Sequence, residues 1–200
     1  TPAGMITRPD ISTIDCPFTP EDVYPAFAHI EDTAFLHSSM KTDTGRYSFI
    51  GLEPFLTLSG RDRSFTLYEG DRKIRTGRDP FEALRDVVGD HTTRNDTRFP
   101  FTAGGIGYLS YDLKNATEEL PRQAEEEILM PEMRFVFYRT LLIFDNEAPG
   151  RLTVSHLGEK EERRAPDAEA ILRTVEKHRS GENISGKALK TCPPAAISSN

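Results

Sequence analysis

Cysteine is scarce in this chain, basic charge is outnumbered, and no long apolar run is present. Two cysteines, Cys16 and Cys192, stand near opposite ends of 200 residues. They allow one long-range disulfide, but a chain of this length buries roughly 70% of its unfolded surface and has no need of a staple. Two free thiols are the expectation. No Cys-x-x-Cys or His/Cys cluster supports a metal site, and His29, His37, His91, His156 and His178 share no i, i+4 spacing. The formal net charge is −7, with 25 basic against 32 acidic residues. That balance and the scatter of Lys and Arg argue against a nucleic-acid surface. The longest apolar candidate, Phe135 to Phe144, is strand-length and interrupted by Arg139, far short of the ~20 residues that span a bilayer. The opening TPAGMITRPD has no basic region followed by an apolar stretch, so no signal peptide is expected. A cytoplasmic protein with no membrane or nucleic-acid partner is the resulting expectation.

What the chain does have is a glycine-aromatic run. Gly104, Gly105 and Gly107 precede Tyr108, Tyr111 and Asp112 in a Gly-Gly-x-Gly-Tyr-x-x-Tyr-Asp pattern. Three glycines in four positions imply backbone that passes close to something or bends where a Cβ would clash. The last glycine of G-x-G-x-x-G and the Lys-Ser/Thr of a phosphate loop are both missing. A glycine-kinked strand is the plain expectation.

The remaining punctuation places the elements. Thr19-Pro20-Glu21-Asp22 starts a helix that Pro25 interrupts. Residues 34–38, 46–51 and 54–59 read as strands, and Gly70-Asp71 as a hairpin turn into residues 73–75. Asp79-Pro80 opens a second helix with Phe81, Leu84, Val87 and Val88 on one face. Residues 104–112 form the glycine-rich strand, residues 113–120 a short helix, residues 134–145 a central strand, and residues 151–157 its partner. The last helix covers residues 166–179, with Ala168, Ile171, Leu172 and Val175 inward. The order favours α+β with a mainly antiparallel sheet and flanking helices. Residues 1–180 read as one domain and 181–200 as a linker.

No catalytic constellation stands out. Ser38 beside His37 is no nucleophile-base pair, because neighbours in a strand face opposite ways, and the acids from Glu118 to Glu127 read as a solvated helix and loop. A binding site is easier to build. Leu36 to Ser38 and Arg46 to Ser48 lie on consecutive strands. If these pair, Ser38 and Arg46 could converge on one carboxylate, with Leu36 and Tyr47 as apolar walls, since an arginine fork matches a planar carboxylate. A surface ladder with no ligand is the alternative.

Two segments, FLHSSMKTDTGRYSFIGLEPFLTLSG (Phe35 to Gly60) and PFTAGGIGYLSYDL (Pro100 to Leu113), resemble the N-terminal domain of the chorismate-utilising synthases. DPFEALRDVV, the Glu-Leu-Pro at Glu119 to Pro121, and FYRTLLIFD follow the same order and spacing. The resemblance covers roughly residues 10–180. It implies one half of a two-domain α/β sandwich whose active site lies in a further C-terminal domain, where Mg²⁺ and chorismate bind. This segment itself would hold no catalytic residue and no cofactor. Its partners would be that chorismate-binding domain and a glutamine amidotransferase subunit. The resemblance also names Leu36, Ser38, Arg46, Tyr47 and Ser48 as the lining of a tryptophan-type pocket. Anthranilate synthases usually read Leu-Glu-Ser where this chain reads Leu-His-Ser. His37 therefore points to the folate branch, aminodeoxychorismate synthase, with anthranilate synthase or a stand-alone aromatic amino-acid or partner-binding module as alternatives.

Overall fold

The computed structural model describes residues 8–39, 45–61, 63–111, 130–158 and 168–181. Among the described residues, eight strands and three α-helices follow in chain order: β1 Asp10–Asp15, α1 Pro20–Val23 continuing into a 3-10 turn at Tyr24–Ala26, β2 Ala34–Leu36, β3 Tyr47–Arg61, β4 Ser64–Glu69, β5 Arg72–Arg78, α2 Pro80–Asp90, β6 Gly104–Leu109, β7 Met133–Asp145, β8 Arg151–His156 and α3 Ala168–Arg179. The class is α+β. Strand order is β1-β8-β7-β3-β4-β5, with β2 added to β3 and β6 to β7. The pairs β1/β8, β2/β3, β3/β4, β4/β5, β6/β7 and β7/β8 are all antiparallel.

The chain divides into two compact units. One takes residues 1–9 and 54–138, the other residues 10–53 and 139–200, so that β3 and β7 each contribute to both. In the first unit Leu56, Leu58, Phe65, Leu67, Met133 and Phe137 meet Ala83 and Val87 of α2. In the second, Ile50, Leu52, Leu142, Phe144, Leu152 and Val154 meet Val23 and Ala26 from the α1 region and Ala168, Ile171 and Val175 of α3. Each such fully buried aliphatic side chain contributes about 1.5–3 kcal/mol. Among the described residues no helix is long and apolar enough to cross a membrane.

Most element positions follow the sequence signals, with three corrections. The strands read at 46–51 and 54–59 are one 15-residue strand, β3. Pro54 stands between the β2 ladder, which reaches β3 as far as Gly51, and the β4 ladder, which begins at Leu56. Glu53, just before it, takes a left-handed φ of 55° and absorbs the irregularity. On α2 the buried positions are Pro80, Ala83 and Val87. Leu84 packs partly against the same cluster, but Phe81 and Val88 are exposed. The stripe facing the sheet is thus one residue round the helix from the bulkiest one, because small residues allow close approach. Strand β2 stops at Leu36, leaving His37 and Ser38 outside the ladder. The helix expected at 113–120, the linker from 182 onward, Cys192 and Asp112 lie outside the described residues.

The glycine-rich segment is strand β6, antiparallel to the start of β7, with Gly107 opposite Phe135. A Cβ on Gly107 would stand 2.1 Å from the Arg134 carbonyl oxygen and 2.7 Å from Phe135 Cα. Gly105 lies against the Phe137 ring, where a Cβ would come within 3.0 Å. The close approach read from the sequence is therefore to the neighbouring strand. Tyr108 and Tyr111 are exposed, Tyr111 strongly so. The Glu69–Arg72 hairpin closes through Gly70 at φ 54°, a conformation that costs glycine little.

Candidate functional site

The second unit builds a polar cluster where three loops meet. The first is anchored by the cap of α1. The Thr19 backbone N–H donates to Asp22 Oδ2 at 3.1 Å, and the Asp22 N–H donates back to Thr19 Oγ1 at 3.3 Å, a reciprocal capping box. That box fixes Glu21 in the first turn. The second loop leaves β2 with His37 and Ser38. The third follows Asp145, the last residue of β7, and opens with Asn146.

His37 bridges the first loop to β3. Its Nε2 lies 3.1 Å from Glu21 Oε1, and its Nδ1 lies 3.3 Å from Ser48 Oγ. The ring also tilts against Phe35 at 5.2 Å, and Phe35 in turn stacks on Tyr24 at 4.9 Å. Ser48 is fully buried. Its oxygen accepts the Ser38 backbone N–H at 3.2 Å and the Asn146 amide N–H at 3.1 Å. Asn146 further donates to the Ser38 carbonyl at 3.2 Å. The Leu-His-Ser and Arg-Tyr-Ser segments are thus brought together, with Asn146 as the knot.

Arg46 does not reach Ser38. Its Nε donates to Asp145 Oδ1 at 3.0 Å and its Nη2 to Asp145 Oδ2 at 2.7 Å, with Glu147 at 3.1 Å from Nη1. The carboxylate that fills the arginine fork is the chain's own. The same guanidinium lies over the Tyr47 ring at 5.2 Å. Hydrogen bonding to Asp145 holds Arg46 firmly protonated, above its ordinary value.

Beside this cluster lies a cavity of about 440 Å³, lined by Cys16, Phe18, Glu21, His37, Ser38 and Asn146 among others. Of the five pocket residues named from the sequence, Ser38 lines it directly. Ser48 bonds to the lining residues His37, Ser38 and Asn146 from behind, Arg46 holds the lining residue Asp145, Tyr47 lies under the Arg46 guanidinium, and Leu36 is half exposed. Asp145, Asn146 and Glu21 escaped sequence reasoning, and the only signal was the polar pair closing an otherwise apolar strand. Cys16 is buried and free, and burial pushes its thiol up.

The row Glu21, His37, Ser48 has the spacing of a hydrolytic triad. Its hydroxyl is shut off from solvent and already accepts two N–H groups, so it cannot meet a substrate carbonyl. A second polar chain occurs at the other end of the unit. The Thr140 hydroxyl donates to Glu53 Oε2 at 2.5 Å and lies 2.8 Å from Nδ1 of buried His156. Among the described residues no three His, Cys, Asp or Glu side chains are grouped to hold a metal ion.

The family model described as chorismate binding enzyme matches residues 33–196. Anthranilate synthase component 1 of Geobacillus stearothermophilus is 29% identical over 178 residues, covering 85% of this chain and 34% of that protein. Aminodeoxychorismate synthase component 1 of Escherichia coli is 29% identical over 140 residues, covering 68% of this chain and 30% of that protein. The crystal structure of anthranilate synthase component I from Streptococcus pneumoniae matches 80% of this chain and 34% of its own, at 23% identity and a TM-score of 0.45. The chain spans about a third of the length of the curated relatives it matches. The family match covers most of its residues, and the chain belongs to the chorismate binding enzymes.

Proposed function

We propose that this chain is the N-terminal, non-catalytic domain of an aminodeoxychorismate synthase component I. The parent protein aminates chorismate at C4, giving 4-amino-4-deoxychorismate for 4-aminobenzoate and folate synthesis in the cytoplasm. Ammonia comes from a glutamine amidotransferase partner. Chorismate and Mg²⁺ bind in a C-terminal domain against which this one docks. The observation that carries the reading is His37 in the Leu-His-Ser segment. It is built into the cavity wall by Glu21 and Ser48, at a position where, by the resemblance, anthranilate synthases usually read Leu-Glu-Ser. Family membership supports the chorismate chemistry, while relatives of both names match at similar identity.

Product identity is the test. The protein that carries this segment together with its chorismate-binding half, given chorismate and ammonium, is expected to form a compound that a lyase converts to 4-aminobenzoate. Formation of anthranilate would hand the assignment to anthranilate synthase component I.

A rival reading, a stand-alone module for an aromatic amino acid, draws on the cavity that one unit forms from its own residues. Isothermal titration of the chain with tryptophan addresses it. Tight binding favours the module, and no binding favours a pocket completed by the other domain.

A further inference from the structure

The Ser48 hydroxyl has one proton and two lone pairs, and all are committed. Glu21 faces His37 Nε2 at 3.1 Å. An ionised carboxylate only accepts, so Nε2 carries the proton of the neutral ring and Nδ1 is bare. Ser48 therefore donates its hydroxyl proton to His37 Nδ1, at 3.3 Å. Its lone pairs take the Ser38 N–H and the Asn146 Nδ2–H. The valence is full.

We propose that His37 is a proton switch for the cavity wall, acting through Ser48 on Asn146. A second proton on the imidazole turns Nδ1 into a donor. Ser48 then accepts from His37 and from Ser38, and has no lone pair left for the Asn146 amide. Its own proton must find another acceptor, and Asn146 Oδ1 is in place at 3.4 Å. The Ser48–Asn146 hydrogen bond reverses direction, while the Ser38 N–H bond is kept. Because Asn146 also donates to the Ser38 carbonyl, the reversal changes what the wall presents to the cavity.

Other charged and titratable groups set the background. Glu21 faces the ring from α1, where Asp22 is tied to Arg179. Across the cavity lie Asp145, held by Arg46, and then Arg151 and the buried Cys16 thiol. Glu147 shares Arg46. Arg46 meets Asn146 through its backbone carbonyl, which accepts the Asn146 backbone N–H at 2.8 Å, whereas the link from the His37 ring to the Asn146 side chain runs through the Ser48 hydroxyl. The inference goes beyond the proposed amination chemistry and does not depend on it.

The test is a pH titration of the isotope-labelled, ligand-free 200-residue chain by NMR, from about pH 5 to 8, the range in which imidazoles change charge. The His37 ring and the Asn146 side-chain amide are expected to move with one common midpoint. In Ser48→Ala the ring is expected to titrate while the Asn146 amide stays flat. Should that variant fail to fold, His37→Gln is expected to leave Asn146 without a pH response. A wild-type Asn146 that ignores the titrating ring overturns the proposal. So does a ring that keeps one charge throughout the range, or an Asn146 response that survives either substitution. Such a failure would leave the family assignment standing.

Discussion

Arg46 lays both arms of its guanidinium on Asp145, with Nε 3.0 Å from Oδ1 and Nη2 2.7 Å from Oδ2. The carboxylate is almost fully buried and the arginine partly exposed, at 6% and 38% of their side-chain surfaces. The pair fastens the start of β3 to the end of β7. Removing the arginine strands a buried charge, whereas neutralising the acid does not. Arg46→Ala is therefore expected to lower the thermal midpoint by several degrees, and Asp145→Asn by less. Arg46→Lys should resemble the alanine variant more than wild type, since a point charge cannot make both bonds. Differential scanning calorimetry of the three variants orders them.

Gly107 and Gly89 offer a paired test of close approach. A methyl group at Gly107 would meet the backbone of Arg134 and Phe135, while one at Gly89 in α2 meets nothing within 4 Å. Gly107→Ala is expected to destabilise by about 3 kcal/mol or more. Gly89→Ala is expected to stabilise by about 0.5 kcal/mol, from helix propensity alone. Urea unfolding of each variant reads the difference.

Thr140 links Glu53 to buried His156. Thr140→Val keeps the shape and removes the hydroxyl, which leaves two polar groups without that partner. A loss of about 2 kcal/mol is expected. The double variant with Glu53→Gln should lose less than the sum of its parts, because both sever one network.

Asp22 is held below its ordinary carboxylate value near 3.8 by the Thr19 backbone N–H, with the Thr19 side chain and Arg179 adding to it. A depressed native value means the stabilisation is present above the unfolded value and is lost as pH falls through the native one. The group is exposed, so solvent screens much of the effect. Wild type is expected to lose slightly more stability than Asp22→Asn between about pH 4 and 2, with the two curves parallel above pH 5. Urea midpoints across that range check the sign.

Cys16, which lines the cavity, should be chemically quiet. Burial raises the Cys16 thiol, and the thiolate is the reactive form. Iodoacetamide is expected to label Cys16 slowly in the native chain and quickly in urea, as followed by peptide mass spectrometry.

Local signals in the sequence were enough to place strands, hairpin turn and helix starts, because glycine, proline and capping residues act within a few positions. The inward residues of α3 could be read from their spacing. Long-range partners could not. Asp145 lies 99 positions from Arg46 and Asn146 lies 98 from Ser48, and no spacing rule connects them. The expected face of α2 held for Val87 and in part for Leu84, but not for Phe81 and Val88, because hydrophobic bulk marks a stripe, whereas the fit of a helix on a sheet is set by small residues such as Ala83. Pro54 suggested a break, but β3 runs through it from Tyr47 to Arg61. The polar wall of the cavity was half legible, since Ser38 came from the expected strand pairing and Ser48 from the family resemblance, while Glu21 and Asn146 carried no signal of a shared site.

The central claim is that this chain is a scaffold and does no bond-making by itself. Chromatography of chorismate incubated with the purified 200-residue chain, ammonium and Mg²⁺ tests it most directly. The expected result is unchanged chorismate beyond the protein-free rate. Enzyme-dependent formation of an aminated or aromatic product by this chain alone would contradict the account.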